Sequence, residues 1–206
     1  MIIVGLTGSV ASGKSTVARW ITAKGISVHD ADAAVHSFLA PNGQAVAKII
    51  ATFGPDIGAS DGSIDRKKLG RHVFANPIDR EKLESILHPM VRQHRDQFLT
   101  DQQRIGSQIV VLDVPLLYET GGEGLCDYVI VVNASEDTIR HRALSRPGMT
   151  AEKLTGILAT QIPASEKCKR ADFVLDTDLD PATTCQHLFT WLDRITAAID
   201  ISKSRN

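Results

Sequence analysis

Short runs of aliphatic and β-branched residues alternate along this chain with longer stretches whose apolar positions recur every three or four residues. The short runs are residues 2–6, 109–112, 128–132 and 173–175, with a weaker fifth at 26–29. The four stronger ones are mostly apolar, as strands covered on both faces should be. Helix-periodic segments between them predict a parallel sheet with crossover helices, an α/β fold. Leu83, Ile86, Leu87, Met90 and Phe98 form an apolar stripe through 79–100, with Pro89 inside it, where a bend or a break is expected. Ser135 precedes a helix ending near Pro147 and Gly148, and Thr150 is placed to cap the next. Asp180 and Pro181 open a last helix whose buried stripe is Leu188, Trp191, Leu192, Ile195 and Ile199.

Between the weak second strand and Ile109 there is no strand pattern, only helical ones at 45–53, 66–75 and the long stripe above. A simple crossover needs far fewer residues. The chain therefore reads as one domain, 1–206, with a core of 1–39 and 107–206 and a helical insertion at about 40–106 on one edge of the sheet.

Composition narrows the partners. A net charge of -1 with 23% charged residues gives no polyelectrolyte surface for nucleic acid or membrane, so any anion site must be local. The three cysteines, Cys126, Cys168 and Cys185, are odd in number and not at metal-ligand spacing, which suits a reducing compartment. The apolar N-terminal stretch is too short for a signal peptide, and no run approaches the ~20 apolar residues of a membrane span. The cytoplasm is the expected location.

The chemistry begins at Gly8-Ser9-Val10-Ala11-Ser12-Gly13-Lys14-Ser15, which matches G-x-x-x-x-G-K-[ST] directly after an apolar strand. Glycines let successive backbone N–H groups turn inward around phosphate oxygens. Lys14 adds a positive charge toward the β- and γ-phosphates, and the Ser15 hydroxyl is a Mg²⁺ ligand. The helix starting at Gly13 and Lys14, continuing through Thr16, aims its positive end at the same anion. Lys14 is expected to be solvated, so that removing it would cost turnover far more than stability.

A P-loop alone spans kinases, GTPases, motors and transporters. No N-K-x-D stretch is present for guanine. Residues 109–113 read as a Walker-B strand ending in Asp113, which would hold Mg²⁺ through water. Val114 and Pro115 follow it, where a hydrolase would carry a second acidic residue, so transfer to a bound acceptor is favoured over hydrolysis. Asp30-Ala31-Asp32 follows the second strand, at the strand end where ligands of open α/β sheets bind. Asp32 is a candidate to accept an acceptor hydroxyl's proton, and the pair also suits an N-cap, with Asp30 capping while Asp32 acts. Arg140, Arg142 and Arg146 crowd a helix end, either as cations of a lid closing over the transferring group, at about 140–165, or as a solvated basic terminus complementing the helix dipole.

Taken in order, these residues resemble dephospho-CoA kinase. The resemblance runs through Gly5-Leu6-Thr7-Gly8, Gly13-Lys14-Ser15-Thr16, Asp30-Ala31-Asp32, Ile64-Asp65-Arg66, Val73-Phe74 with Asn76-Pro77, and Leu87-His88-Pro89 with Val91-Arg92. It continues through Val114-Pro115-Leu116-Leu117-Tyr118-Glu119, Gln161 with Glu166-Lys167, and Ala171-Asp172-Phe173-Val174. The resemblance implies a five-stranded parallel sheet, a helical substrate-binding subdomain and a lid. It implies transfer of the ATP γ-phosphoryl to the ribose 3′-hydroxyl of dephospho-CoA. By it Asp32 is the general base, Arg142 or Arg146 the lid cation, and His88, Arg92, Leu116, Leu117 and Glu119 lie on the acceptor side.

Three departures stand out. Ser9 and Ala11 replace glycines common in the family, which predicts either no strained positive φ at those positions or a distorted loop. Thr177 stands where the family has an asparagine near the adenine. The Gly121–Gly124 stretch is looser than the family pattern. A kinase of another small metabolite or nucleoside, and a nucleotide-dependent switch ATPase, are the rival readings.

Overall fold

The computed structural model describes residues 1–203, with the side chains of Ala75 and residues 198–203 outside the description. Two compact units emerge, Met1–His29 with Gln102–Asn206, and Asp30–Asp101. The sequence reading puts the corresponding boundaries at about 40 and 106.

The first unit is built on a five-stranded sheet of β1 (Ile2–Gly8), β2 (Ser27–Asp30), β3 (Ile109–Asp113), β4 (Tyr128–Asn133) and β5 (Phe173–Asp176), ordered β2-β3-β1-β4-β5. β1 pairs in parallel with β3 and β4, and β4 with β5. The buried faces of β1, β3 and β4 explain their unbroken apolar runs. Helices α1 (Lys14–Ala23), α6 (Glu136–Leu144), α7 (Ala151–Ala159), α8 (Ala164–Arg170) and α9 (Pro181–Lys203) belong to this unit. Val17 and Ile21 of α1 join Leu188, Trp191, Leu192 and Ile195 of α9 in one core with the strands. Trp191 stacks on Phe173, ring centroids 5.0 Å apart. Ile199 lies outside the described side chains.

The second unit is helical: α2 (Ala31–Leu39), α3 (Val46–Phe53), α4 (Arg66–Ala75) and most of α5 (Pro77–Arg104). Phe38, Leu39, Ile49, Ile57, Leu69, Ile86 and Leu87 fill its core. Asp30 caps α2 by accepting from the Ala33 N–H, and Asp65 caps α4 by accepting from Lys67 and Lys68. Of the bend or break expected at Pro89, the break does not occur: α5 runs unbroken through it. Pro89 is exposed, so its ring faces solvent, and the Ile86 and Leu87 face holds the helix to the core across the missing N–H.

Candidate functional site

The end of β1 and the start of α1 shape a loop that only certain residues can occupy. A Cβ at Gly8 would lie 2.5 Å from the Val132 carbonyl oxygen and 2.7 Å from Ser12 Oγ, so no side chain fits there. Gly13 is left-handed, with φ 97°, and turns the chain into the first turn of α1. Ala11 is also left-handed, with φ 61°, whereas Ser9 is not, so the strained form of the loop is the one adopted at Ala11. Such a conformation costs an alanine about 1–2 kcal/mol. Its methyl is buried with Val10, Met149, Ala143 and Leu154, and burying one such carbon recovers roughly 0.8 kcal/mol. Hence the residue that strains the loop also ties it to α6 and α7.

Lys14 is not solvated. Its Nζ lies 2.5 Å from Asp113 Oδ1, and the two side chains are 15% and 4% exposed. The β1–β3 pairing sets this meeting, because it places Leu6 opposite Asp113 one loop before Lys14. Two further bonds hold the start of the following segment: Val114 N–H donates to the Leu6 carbonyl, and Thr7 Oγ1 donates to the Pro115 carbonyl at 2.9 Å. Ser12 Oγ is buried with no hydrogen-bond partner among the described residues. Ser15 is exposed at the first turn of α1. One hydroxyl and one carboxylate are hard, sparse oxygen ligands, while the backbone N–H groups of the loop serve the phosphates. They fit Mg²⁺, which is usually held by one or two protein oxygens together with substrate phosphates and water.

Of the three arginines, Arg140 and Arg146 are exposed and Arg142 is half-buried. Arg142 Nη1 donates to Thr177 Oγ1 at 2.9 Å and Nη2 to the Thr177 carbonyl at 2.7 Å. Both helices of this segment carry the expected caps, Ser135 accepting from the Thr138 N–H and Thr150 from the Lys153 N–H. Farther along, Gln161 Oε1 accepts the Val10 N–H at 3.3 Å, fastening the chain after α7 to the P-loop.

The segment after β3 turns out to be mainly structural. Leu116 is exposed, but Leu117 is 1% exposed and belongs to a core with Tyr118, Val129 and Val131, so its side chain is not offered to a ligand. Glu119 Oε1 lies 2.8 Å from Lys167 Nζ and accepts the Ile162 N–H at 2.9 Å. Burial alone would push this carboxyl up, yet the bonds from Lys167 and Ile162 outweigh it and hold it below the ordinary carboxylate range. Arg170 lies 4.1 Å from the centroid of the Tyr118 ring and pairs with Glu123. Burial raises the Tyr118 hydroxyl to about 12, with Arg170 opposing the rise.

Sequence reasoning missed the fully buried Lys167, its pairing with Glu119, and the bonds of Thr177. A lysine with no exposed surface carries no composition signal. The only available hint was the position of Lys167 on a helix whose polar neighbours leave few apolar residues to face β4.

In the helical unit Asp32 is exposed in the first turn of α2, and Asp30 is the cap. His88 and Arg92 are exposed one helical turn apart on α5.

Comparison with known proteins agrees with this construction. The family model described as "Dephospho-CoA kinase" matches residues 2–182. A dephospho-CoA kinase of Mesorhizobium japonicum is 47% identical over 177 residues, covering 86% of this chain and 88% of the relative. The crystal structure of TT1252 from Thermus thermophilus superposes with a TM-score of 0.79 at 31% identity, covering 93% of this chain and 95% of that one. Dephospho-CoA kinase from Campylobacter jejuni superposes with a TM-score of 0.70 at 27% identity, covering 95% and 98%. With its P-loop, parallel sheet and helical unit matched along nearly its whole length, this chain belongs to the dephospho-CoA kinase family.

Proposed function

We propose that the protein transfers the γ-phosphoryl group of ATP to the ribose 3′-hydroxyl of dephospho-CoA, giving CoA and ADP, the last step of coenzyme A synthesis. The observation that carries this reading is a P-loop with Lys14 seated on a buried carboxylate, in a chain matched by the family over residues 2–182.

The N–H groups of the P-loop and of the first turn of α1, other than those of Val10, Ser12 and Thr16, which bond within the chain, receive the phosphates together with the Lys14 ammonium, and a loop already folded needs little reorganisation at the moment of transfer. Ser15, with Asp113 through water, would hold Mg²⁺, which would supply positive charge to the transferring phosphates. Arg142 and Arg146 add cationic charge from the 140–165 segment. Asp32 orients the acceptor hydroxyl and takes its proton late in the transfer. His88, Arg92 and Leu116 contact the acceptor, with Leu117 and Glu119 supporting that segment from behind. No described helix is long and apolar enough to cross a membrane, and all three cysteines are free thiols, which supports a cytoplasmic enzyme.

The test is ADP release measured with a panel of acceptors. Dephospho-CoA should be greatly preferred over adenosine, because the diphosphate and pantetheine arm offer remote binding energy that the truncated acceptor lacks. Comparable kcat/KM for the two would move the protein to a nucleoside-kinase reading. Turnover independent of any acceptor would make it a nucleotide hydrolase or switch.

A further inference from the structure

One side chain, at the position where the sequence departs from the family's asparagine, joins four separate parts of the nucleotide-side unit. Thr177 is 9% exposed, directly after β5. Its Oγ1 lies 2.8 Å from the carbonyl oxygen of Ser12 in the P-loop and 3.1 Å from that of Asn133 at the end of β4. The same oxygen accepts from Arg142 Nη1 at 2.9 Å, while the Thr177 carbonyl accepts from Arg142 Nη2 at 2.7 Å. The Thr177 N–H donates to the Asn133 carbonyl at 2.9 Å, which ties its backbone to the end of β4.

A hydroxyl has one proton and two lone pairs. With the proton shared between two carbonyl oxygens, the guanidinium N–H occupies one of the oxygen's two lone pairs. The guanidinium is a planar fork, and two parallel bonds to one residue fix its plane as well as its position. The place so fixed is beside the P-loop glycine: a Cβ built on Gly13 would be 3.4 Å from Thr177 Cγ2 and 3.6 Å from Arg142 Nη1.

We infer that Thr177 is a positioning residue for nucleotide binding: its hydroxyl holds the Arg142 guanidinium in register with Ser12 and Gly13, so that Arg142 acts as a pre-set clamp on bound ATP. The inference rests on the kinase reading above. It predicts that Arg142 contributes to the affinity for ATP before any transfer, in contrast to a lid cation recruited only in the transition state. An arginine free to swing would lose side-chain entropy on binding, whereas one already held loses little.

The experiment is ATP binding by calorimetry in the absence of acceptor, for wild type, Thr177→Val, Thr177→Ser, Arg142→Ala and the double variant Thr177→Val/Arg142→Ala. Valine keeps the shape and removes the hydroxyl, so ATP should bind about tenfold more weakly, the scale of one hydrogen bond to a charged group. Serine restores the oxygen and should bring affinity back to within about twofold of wild type. In the Arg142→Ala background, Thr177→Val should have almost no further effect, because the hydroxyl acts through the guanidinium. A purely structural role for Thr177, holding only Ser12 and Asn133, would keep its full effect in that background and overturn the proposal. So would unchanged affinity in Thr177→Val. If Thr177→Val does not fold, Arg142→Lys leaves the buried bonds of Thr177 to Ser12 and Asn133 intact while losing the fork, and undiminished ATP binding in it sinks the clamp. Failure of the wild type itself to bind ATP would count against the kinase reading first, and is distinguishable from every result above.

Discussion

The nucleotide-side unit and the helical unit handle their candidate residues in opposite ways. In the first, each one with a resolved side-chain role is held by a partner from a distant part of the chain: Lys14 by Asp113, Arg142 by Thr177, and Gln161 by the Val10 N–H. In the second, Asp32, His88 and Arg92 stand exposed on α2 and α5, and the unit is maintained by local caps and an apolar cluster that does not involve them. A triphosphate presents dense negative charge in a nearly fixed geometry, and a cradle prepared for it avoids reorganisation. Side chains displayed on helices are free of structural duty. Substitutions at these partnered positions of the first unit should therefore damage stability and activity together, and those at Asp32, His88 and Arg92 should damage activity alone.

The largest effect expected on that contrast is in the helical unit. Asp32→Asn keeps the shape and removes the charge, and should lower kcat by on the order of 10²–10⁴ while leaving ATP affinity nearly unchanged. Its melting temperature should stay within about 2 °C of wild type, since exposed substitutions rarely exceed ~0.5 kcal/mol. Asp30→Asn is the control and should be milder, because asparagine caps a helix as well as aspartate does. Retention of more than about a tenth of wild-type kcat in Asp32→Asn would remove the general-base role.

Lys14→Met probes the other side of the contrast. It should abolish most turnover and also leave Asp113 buried without its cation, at a cost of roughly 3 kcal/mol. For a chain of this length that corresponds to about 6–12 °C of melting temperature, measurable by calorimetry. A fully active variant, or an inactive one with unchanged melting, would contradict the preassembled cradle.

Next in size is the Glu119–Lys167 pair, which can be read through pH. The Glu119 carboxyl is depressed below its ordinary value of 4.5, so the folded state binds the proton less readily than the unfolded chain. Its stabilising contribution is complete above that value and is lost as pH falls through the depressed folded pKa. Lys167→Met should cost about 3 kcal/mol at neutral pH. The gap from wild type should shrink through the acidic range, as wild type loses what the variant never had. Denaturant melts at neutral and acidic pH would show it, and a pH-independent gap would mean that the carboxylate contributes nothing through its charge.

Ala11→Gly should do least. It releases the left-handed strain but gives up the methyl packed against Ala143 and Leu154, two effects of opposite sign and similar size. The net should lie within about 1 kcal/mol, seen as a melting shift of at most a few degrees. A large loss would show that contact with α6 and α7, not loop strain, dominates at this position.

Much of this protein was written locally in its sequence. A β-branched run feeding Gly8 to Ser15 is a strand, loop and helix made of neighbours, so the P-loop is legible from residue types alone. The caps Asp30, Ser135 and Thr150 and the buried stripe of α9 are equally local, since an N-cap bonds within three residues and a helix face repeats every three or four. Pro89 left a bend and a break both open, because a proline's effect on a helix depends on what holds the helix around it, and here the helix is not broken. Ala11 was ambiguous for a similar reason: its sequence says only that positive φ is costly, and the buried site around its methyl determines that the cost is met. The pairings of Lys14 with Asp113, Glu119 with Lys167 and Thr177 with Arg142 belong wholly to the tertiary structure. Each joins residues tens of positions apart, and a charged or hydroxyl side chain has the same local pattern whether it meets water or a partner. Strand order β2-β3-β1-β4-β5 brings those positions together, and burial then makes the partner obligatory, because an unpaired charge in the interior would cost more than the fold can spare.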